Sequence, residues 1–254
     1  MGYDAKLKQS IRQHAGKEHP VDTRAYKLRA YQIADILGIK HAKVIARQTR
    51  FEYIDWKALP NNFIIKPERG CSTKGVLPVV KVAEGIYEDI MRHRKMTIQD
   101  IGYSFMNGLL PDSKEKHSRG LWIEELLQIP LPDDWKVFTF NGEIAFIRQY
   151  RRGEKDRCKF WSKEWKPIEI HKKINHYTID PTLPLPEHPE ELLKTAEAIS
   201  KYLKYPFVRV DLYDIPKGIY IGEITPHPGR DVQYTKEWDK KLGEMWEKAE
   251  KELK

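Results

Sequence analysis

Between Phe207 and Gly229 the run FVRVDLYDIPKGIYIGEITPHPG carries an arginine, two carboxylates and a hydroxyl where a plain core strand would carry apolar side chains. Two β-rich runs, Phe207 to Tyr213 and Ile219 to Thr225, flank a five-residue Asp/Pro/Lys/Gly connection, which predicts a hairpin with a longer loop. Pairing Tyr213 with Ile219 sets Asp211 opposite Ile221 and Arg209 opposite Glu223. Side-chain alternation then puts Arg209, Asp211, Glu223 and Thr225 on one face. Carboxylates on adjacent strands repel unless a cation sits between them, and oxygen sets of this kind hold Mg²⁺ while phosphate supplies further ligands. Two readings stand at this point: a metal-phosphate platform, or a solvated face with a cross-strand Arg209–Glu223 ion pair.

A second stretch with chemical character is KPERGCSTKGV, Lys66 to Val76, between predicted strands at Phe63–Ile65 and Val76–Val80. Gly70, Cys71, Ser72, Thr73, Lys74 and Gly75 form a loop whose backbone N–H groups and hydroxyls can face phosphate oxygens, with lysine as a point charge. It lacks GxxxxGK[ST] and leads into a strand, so it is not a P-loop, and an ordinary basic turn is its other reading. GLWIEELL, Gly120 to Leu127, predicts a strand ending in Glu124 and Glu125 just before Pro130 and Pro132. That position suits a nucleotide-binding hinge or two solvent-facing glutamates. Trp135 to Arg148 predicts a hairpin on an Asn141-Gly142 type I′ turn. Strict register pairs Trp135 with Arg148 and Lys136 with Ile147, which sends Lys136 and Arg148 to opposite faces unless a bulge intervenes. Arg151, Arg152, Lys155 and Arg157 follow as a substrate clamp or a solvated charge run.

These groups need elements to hold them. Residues 1 to 20 predict a charged, frayed helix or tail without chemistry. Helices are expected over Arg24–Gly38, over Val82–Met96 with Ile86, Ile90 and Met91 inward, over Pro189–Tyr205, and over Lys236–Lys254 with a Trp/Met stripe. Residues 97 to 120 read as loop, and residues 160 to 188 as an irregular Trp-, Lys- and Pro-rich segment. His171 and His176 match no ligand spacing and the other histidines are scattered. At 254 residues and 40% hydrophobic content, with seven Trp and thirteen Tyr, the chain can bury real cores. Its two cysteines, Cys71 and Cys158, make no metal or redox spacing. No apolar run reaches the ~18 residues of a membrane span and the N-terminal stretch has no signal-peptide core, so a cytoplasmic location is expected. The net charge of +8 favours acidic partners, with nucleic acid a secondary reading because no recognition motif accompanies it.

Taken in order, FIIKP…GCSTKGV, WIEELL, DWKVFTFNG and RVDLY…IYIGEITPHPG resemble the ATP-grasp superfamily, nearest its teichuronopeptide-biosynthesis-type (TupA-like) branch. WDKKLGE, Trp238 to Glu244, resembles that branch's terminal helix, and the resemblance runs from about Tyr26 to the C-terminus. It implies an α+β ATP-grasp fold in three parts: residues 1–58 as a reduced helical N-terminal region, 59–128 as a subdomain with the glycine-rich phosphate loop, and 129–254 as a subdomain with the metal-binding hairpin and C-terminal helix. The two α+β subdomains of the family clasp ATP between them with Mg²⁺.

Carried over by motif, Lys66 would contact the α/β phosphates and Gly70 to Gly75 would close over the β/γ phosphates. Glu124 or Glu125 would hold the adenine amino group with the hinge backbone at Leu127, and Asp134 would meet the ribose. Lys136 would assist the phosphates or substrate, and Arg209 would stabilise the transferred phosphoryl group. Asp211 and Glu223 match the family's Mg²⁺ carboxylates. Thr225, a weaker neutral ligand, stands where many members have asparagine, which leaves metal number open. Tyr31 occupies the register of another phosphate-binding lysine, with Lys27 or Arg29 as substitutes. About sixty residues precede Phe63, fewer than the family's N-terminal substrate domain needs, so the acceptor site is expected on an oligomer partner or an open surface.

The activity implied is an ATP- and Mg-dependent carboxylate–amine ligase, working through an acyl-phosphate and releasing ADP and phosphate. Its acid and amine are unidentified, with an acidic polymer or peptide among the candidates. Two rivals remain, a kinase of the same fold that does not ligate and a catalytically idle nucleotide- or polyanion-binding module.

Overall fold

The computed structural model describes every residue except 16, 18, 20, 22–27, 69–74, 109–119 and 154. In chain order the elements are α1 (Tyr3–Gln13), α2 (Leu28–Leu37), β1 (Lys40–His41), β2 (Val44–Gln48), β3 (Asn62–Pro67), β4 (Leu77–Ala83), β5 (Ile86–Asp89), β6 (Arg94–Thr97), α3 (Ile98–Gly108) and β7 (Leu121–Glu125). They continue with β8 (Asp134–Phe140), β9 (Glu143–Arg151), β10 (Arg157–Trp161), β11 (His171–Ile174), β12 (Thr178–Ile179), α4 (Pro189–Leu203), β13 (Val208–Ile215), β14 (Gly218–Thr225), β15 (Val232–Tyr234) and α5 (Lys236–Glu252). The mixture of helices and largely antiparallel sheets is α+β. Two compact units divide the chain, one from Met1–Thr23, Arg29–His41 and Pro132–Lys254, the other centred on Ala42–Leu131. No described helix is long and apolar enough to cross a membrane.

The discontinuous unit is built on a sheet of order β1-β14-β13-β8-β9-β10-β12. Its strands alternate as the pleat requires: Val208, Val210 and Leu212 are fully buried, while Arg209 and Asp211 point to the other side. Helix α4, opened by Pro189 at its first turn, lies against β13 and β8 through Leu192, Ala196 and Ile199. The face that carries Arg209 is closed at its far end by α1 and α5. There Tyr3, Leu7, Phe138, Phe140, Phe146, Phe207, Leu242 and Trp246 share one aromatic-rich cluster. Phe207 stacks on Trp246 with centroids 5.1 Å apart. Of the helix or tail expected over residues 1 to 20, residues 3–13 form a helix, and it is docked rather than frayed because Tyr3, Leu7 and Ser10 recur at helical spacing and are buried.

Two hairpin registers differ from strict alternation, and each difference is one extra residue. The Asn141-Gly142 turn has φ of 46° and 91°, as type I′ requires, and pairs Phe140 with Glu143 and Thr139 with Ile144. Ala145 then bulges, so Phe138 meets Phe146 and Lys136 meets Arg148. Lys136 and Arg148 thus share a face, contrary to the strict pairing. In the β13–β14 hairpin the connection is tighter than five residues, since Ile215 already pairs with Gly218 and Tyr213 with Tyr220. A bulge at Gly222 adds a second offset, placing Asp211 opposite Glu223 and Arg209 opposite Thr225. The two offsets of one residue cancel in facing, which keeps Arg209, Asp211, Glu223 and Thr225 together.

The second unit has a sheet of order β2-β7-β3-β4-β5-β6. The expected helix over Val82–Met96 is instead the β5–β6 hairpin, pairing Tyr87 with Met96 and Asp89 with Arg94. Gly85 at φ 66° turns the chain after β4, and Tyr87 and Asp89 are buried with exposed or half-buried neighbours between them, a period of two that ends helical periodicity. Helix α3 falls in the stretch read as loop. Its start is a reciprocal cap: Thr97 N–H and Oγ1 donate to Asp100 Oδ2 at 2.8 and 2.7 Å, and Asp100 N–H donates to Thr97 Oγ1 at 3.2 Å. Ile101 and Phe105 of α3 then bury against Phe63, Ile65, Leu121 and Ile123.

Candidate active site

Four strands of the first unit deliver charged and polar side chains to one sheet face. β13 supplies Arg209 and Asp211, β14 Glu223 and Thr225, β8 Asp134 and Lys136, and β9 Arg148. Arg209 donates Nε–H to Asp211 Oδ1 at 2.6 Å and Nη2–H to Asp211 Oδ2 at 2.7 Å, a two-pronged pair that fixes the plane of both groups. Arg209 Nη2 also reaches Thr225 Oγ1 at 3.2 Å and lies 3.8 Å from Glu223 Oε1, while the Thr225 hydroxyl donates to Glu223 Oε1 at 2.6 Å. On the other side Lys136 Nζ bridges Asp211 Oδ2 at 2.7 Å and Asp134 Oδ2 at 2.6 Å. Arg152 approaches Asp134 Oδ2 at 3.4 Å.

This cluster is not a solvated face. Asp211 is 5% exposed and Thr225 2%. Arg209's main partner is Asp211 on its own strand, and Glu223 sits further off. Burial acts to raise the Asp211 carboxyl, but the Arg209 and Lys136 cations outweigh it and hold the group at about 2. For Arg209, burial acts to release its proton and Asp211 overcomes that, so its pKa lies above its ordinary value. Asp134 Oδ1 is buried without a hydrogen-bond partner among the described residues.

The donor set fits a hard cation: two carboxylates and a hydroxyl lie on adjacent strands of one face. Asp211 spends three of its roughly four lone-pair positions on Arg209 and Lys136, leaving one, with Glu223 contributing the remainder. These are oxygen ligands of the kind Mg²⁺ takes one or two at a time beside phosphate.

In the second unit, Lys66 and Glu124 form an ion pair between neighbouring strands β3 and β7, with Glu124 2% exposed. Glu125 points elsewhere, accepting the Lys43 N–H at 3.0 Å. Leu127 follows β7 half-buried. Gly75 adopts φ 71°, a left-handed conformation suited to glycine, and a Cβ there would touch the Pro67 ring at 3.4 Å. Gly70, Cys71, Ser72, Thr73 and Lys74 lie outside the described residues, as does Lys27. Tyr31 is buried in the first unit and stacks on His41 at 4.4 Å.

The basic run after β9 is largely neutralised. Arg151 makes two hydrogen bonds to Asp133 at 2.6 and 2.8 Å, Arg157 pairs with Asp180 at 2.8 Å, and Arg152 with Asp134. Sequence reading missed the Arg148–Asp231 pair at 2.6 Å, which lies on the same face beneath Tyr177. Only the Ala145 bulge turns Arg148 that way, and bulges leave no mark in an apolar run.

A family model described as TupA-like ATPgrasp matches residues 5–247 of the chain. Among solved structures, the D-alanine–D-alanine ligase from Bacillus anthracis complexed with ATP is similar with a TM-score of 0.56 and 18% identity, over 97% of this chain and 74% of that one. The VanG D-Ala:D-Ser ligase from Enterococcus faecalis gives 0.56 and 17%, over 100% of this chain and 71% of that one. An L-amino acid ligase from Bacillus licheniformis gives 0.52 and 12%, over 82% and 44%. At such identities the likeness is one of fold. Curated protein sequences yield no match.

Proposed function

The chain belongs to the TupA-like ATP-grasp family, and on that premise we propose that it is an ATP- and Mg²⁺-dependent carboxylate–amine ligase. The observation that carries this reading is the buried Arg209–Asp211–Lys136–Asp134 network beside Glu223 and Thr225 on one sheet face. Structures of this fold include ligases that join amino acids, so amino acids and short peptides are the first acids and amines to try. The +8 charge keeps acidic polymers in the same screen.

A carboxylate oxygen is a poor leaving group, and phosphorylation cures that. In the proposed reaction a substrate carboxylate oxygen bonds to the γ-phosphorus, the bond from that phosphorus to the β,γ-bridging oxygen breaks, and ADP departs. The amine lone pair then bonds to the acyl carbon, the carbon–oxygen bond to phosphate breaks, phosphate leaves with the electron pair, and the nitrogen loses a proton. Arg209 would offset charge on the moving phosphoryl group. Its fork is held rigidly by Asp211, so little reorganisation is needed when charge develops.

Lys136 would hold Asp211 ionised and in place, and assist the phosphates or substrate. Asp211, Glu223 and Thr225 are the residues assigned to Mg²⁺, which when bound neutralises phosphate charge. Lys66, Glu124 and the Gly70–Gly75 loop are assigned to the nucleotide, the Lys66–Glu124 pair being exchanged for phosphate and adenine contacts. Glu125, committed to the Lys43 amide, is the poorer adenine candidate. The unpartnered acceptor Asp134 Oδ1 suits a ribose hydroxyl.

The test is nucleotide product analysis with candidate acid and amine pairs. ADP plus an amide supports the assignment, AMP refutes it, and a stable phosphorylated acid with no amide identifies the kinase alternative. Glu223→Gln should lower turnover about 10²-fold or more with the circular dichroism spectrum unchanged. Wild-type turnover in that variant refutes the metal assignment.

A further inference from the structure

Three histidines, two close together near the start of the chain and one far on in sequence, meet in the first unit. His14 caps the C-terminal end of α1, His19 lies five residues on, and His227 sits two residues beyond the end of β14. One ring nitrogen from each lies within 4.8 Å of the other two. The rings are in mutual contact, with centroids 4.1 Å apart for His14–His19 and 4.7 Å for His19–His227. His19 is 6% exposed, and the other two are half-buried.

The surrounding hydrogen bonds orient these rings in detail. His14 Nδ1 is 2.9 Å from the Ser10 carbonyl oxygen, which can only accept, so Nδ1 bears the proton and Nε2 the lone pair. A ring N–H held by a backbone carbonyl is the outer-shell arrangement that sets a histidine to ligate through its other nitrogen. Ser10, itself buried, also places its Oγ 2.8 Å from His227 Nε2 and 3.3 Å from Tyr205 Oη. Tyr205 Oη lies 3.0 Å from His19 Nε2, and the Val21 N–H donates to His19 Nδ1 at 3.2 Å. Nothing in the ligase reading uses these groups.

We propose that His14, His19 and His227 form a site for a transition-metal ion of the Zn²⁺ class, clamping the end of α1 to the loop that leaves β14. Three imidazoles suit Zn²⁺ and its neighbours and suit Mg²⁺ poorly, so the site differs in kind from the carboxylates of the opposite chemistry. Zinc–nitrogen bonds are about 2.0–2.1 Å, so the rings close inward on binding and His19 exchanges its hydrogen bond with Tyr205 or with Val21 for the metal. A water or the Ser10 hydroxyl completes four-coordination. The clamp ties the α1 end and the chain just after it, through His14 and His19, to the Pro226-His227-Pro228 exit that follows Thr225.

The experiment is metal uptake by the full chain without ATP. Wild type is incubated with Zn²⁺, desalted, and its metal content measured by mass spectrometry. Retention of about one Zn²⁺ per chain in the presence of excess Mg²⁺, together with a raised melting temperature, is the expected result. Co²⁺ in its place should give visible ligand-field absorption. His14→Gln and His227→Gln should each weaken Zn²⁺ binding more than about tenfold, whereas Asp211→Asn with Glu223→Gln should leave it unchanged. No uptake by wild type, displacement by Mg²⁺, or full retention by the doubly substituted His14→Gln, His227→Gln chain overturns the proposal. Should the histidine variants fail to fold, peptide mapping of diethyl pyrocarbonate modification on wild type decides. Protection of His14 and His227 by Zn²⁺ supports the site, and equal modification with and without Zn²⁺ refutes it. Loss of ligase activity is not a readout in any arm, so this site stands or falls apart from the proposed reaction.

Discussion

Lys136→Met removes one ammonium from between two buried carboxylates while keeping side-chain length. Nζ lies 2.6 Å from Asp134 Oδ2 and 2.7 Å from Asp211 Oδ2, so those oxygens face each other across little more than the vacated ammonium. At ~5 Å and an effective dielectric of ~20, two negative charges repel by about 3 kcal/mol. Breaking a buried ion pair by deleting one partner generally costs about 3–5 kcal/mol, and the two estimates agree. The variant should therefore lose about 3–5 kcal/mol of unfolding free energy in urea at pH 7, with the denaturant slope unchanged. Acid gives an independent check on the cause.

In wild type, Asp211 is held at about 2, below its unfolded value of about 3.9, so its contribution is complete above that value and disappears as pH falls through 2. In the variant one of the two cations is gone and Asp211 titrates higher, so protonation relieves the repulsion sooner. The stability gap between the proteins should be widest at neutral pH and close as pH falls from about 4 to about 2. A variant within about 0.5 kcal/mol of wild type at pH 7, or a gap that does not shrink in acid, would refute the network as a structural feature.

Two further outcomes follow from burial. Cys158 is fully buried and its thiol is pushed up to about 11 by that burial, with Arg148 opposing weakly; alkylation at pH 8 should be at least about 10²-fold slower than in the unfolded chain. Because the unfolded thiol ionises near 8.5 and the native one near 11, stability should also decline as pH rises between those values; rapid native alkylation of the Cys158 peptide would contradict both statements. Trp246→Ala empties the centre of the cluster around Phe207, Phe140 and Tyr3 and should cost about 3–5 kcal/mol by denaturation, and a loss under about 1 kcal/mol would mean the cluster is not the core it resembles.

Alternation alone was enough to put Arg209, Asp211, Glu223 and Thr225 on one face, although the register assumed for them was off by two. Facing depends on parity, and the tight Pro216-Lys217 turn and the Gly222 bulge each shift it once. Lys136 and Arg148, on opposite faces in strict register unless a bulge intervenes, share a face because the Ala145 bulge acts alone there. An alanine among apolar neighbours announces no bulge.

The helix expected at Val82–Met96 shows how isoleucines four residues apart, Ile86 opening strand β5 and Ile90 just past its end, imitate helical spacing; the Thr97–Asp100 cap was the signal for the helix that follows. Neither the Lys66–Glu124 pair nor the histidine trio could be read from spacing, since each depends on which strands and helices become neighbours. Asp134 and Lys136 were separate assignments in the sequence, whereas the fold joins them to Asp211 through one ammonium.

The docking of α1 against α5 has a kinetic side. Lys6 bonds to Glu250, 244 positions later, and Tyr3 packs beside Trp246. Contacts of such long range carry a large loop-closure cost and form late. During synthesis, every strand of the Ala42–Leu131 sheet emerges before β8 does, so that sheet can assemble while the other lacks its central strands. Among the described helices α1 precedes the others and its helical partner α5 follows them all. Tyr3 meets Phe140, Phe207 and Tyr234 as those segments are made, yet the cluster closes only when Leu242 and Trp246 arrive, which makes α5 the element that completes the docking of α1.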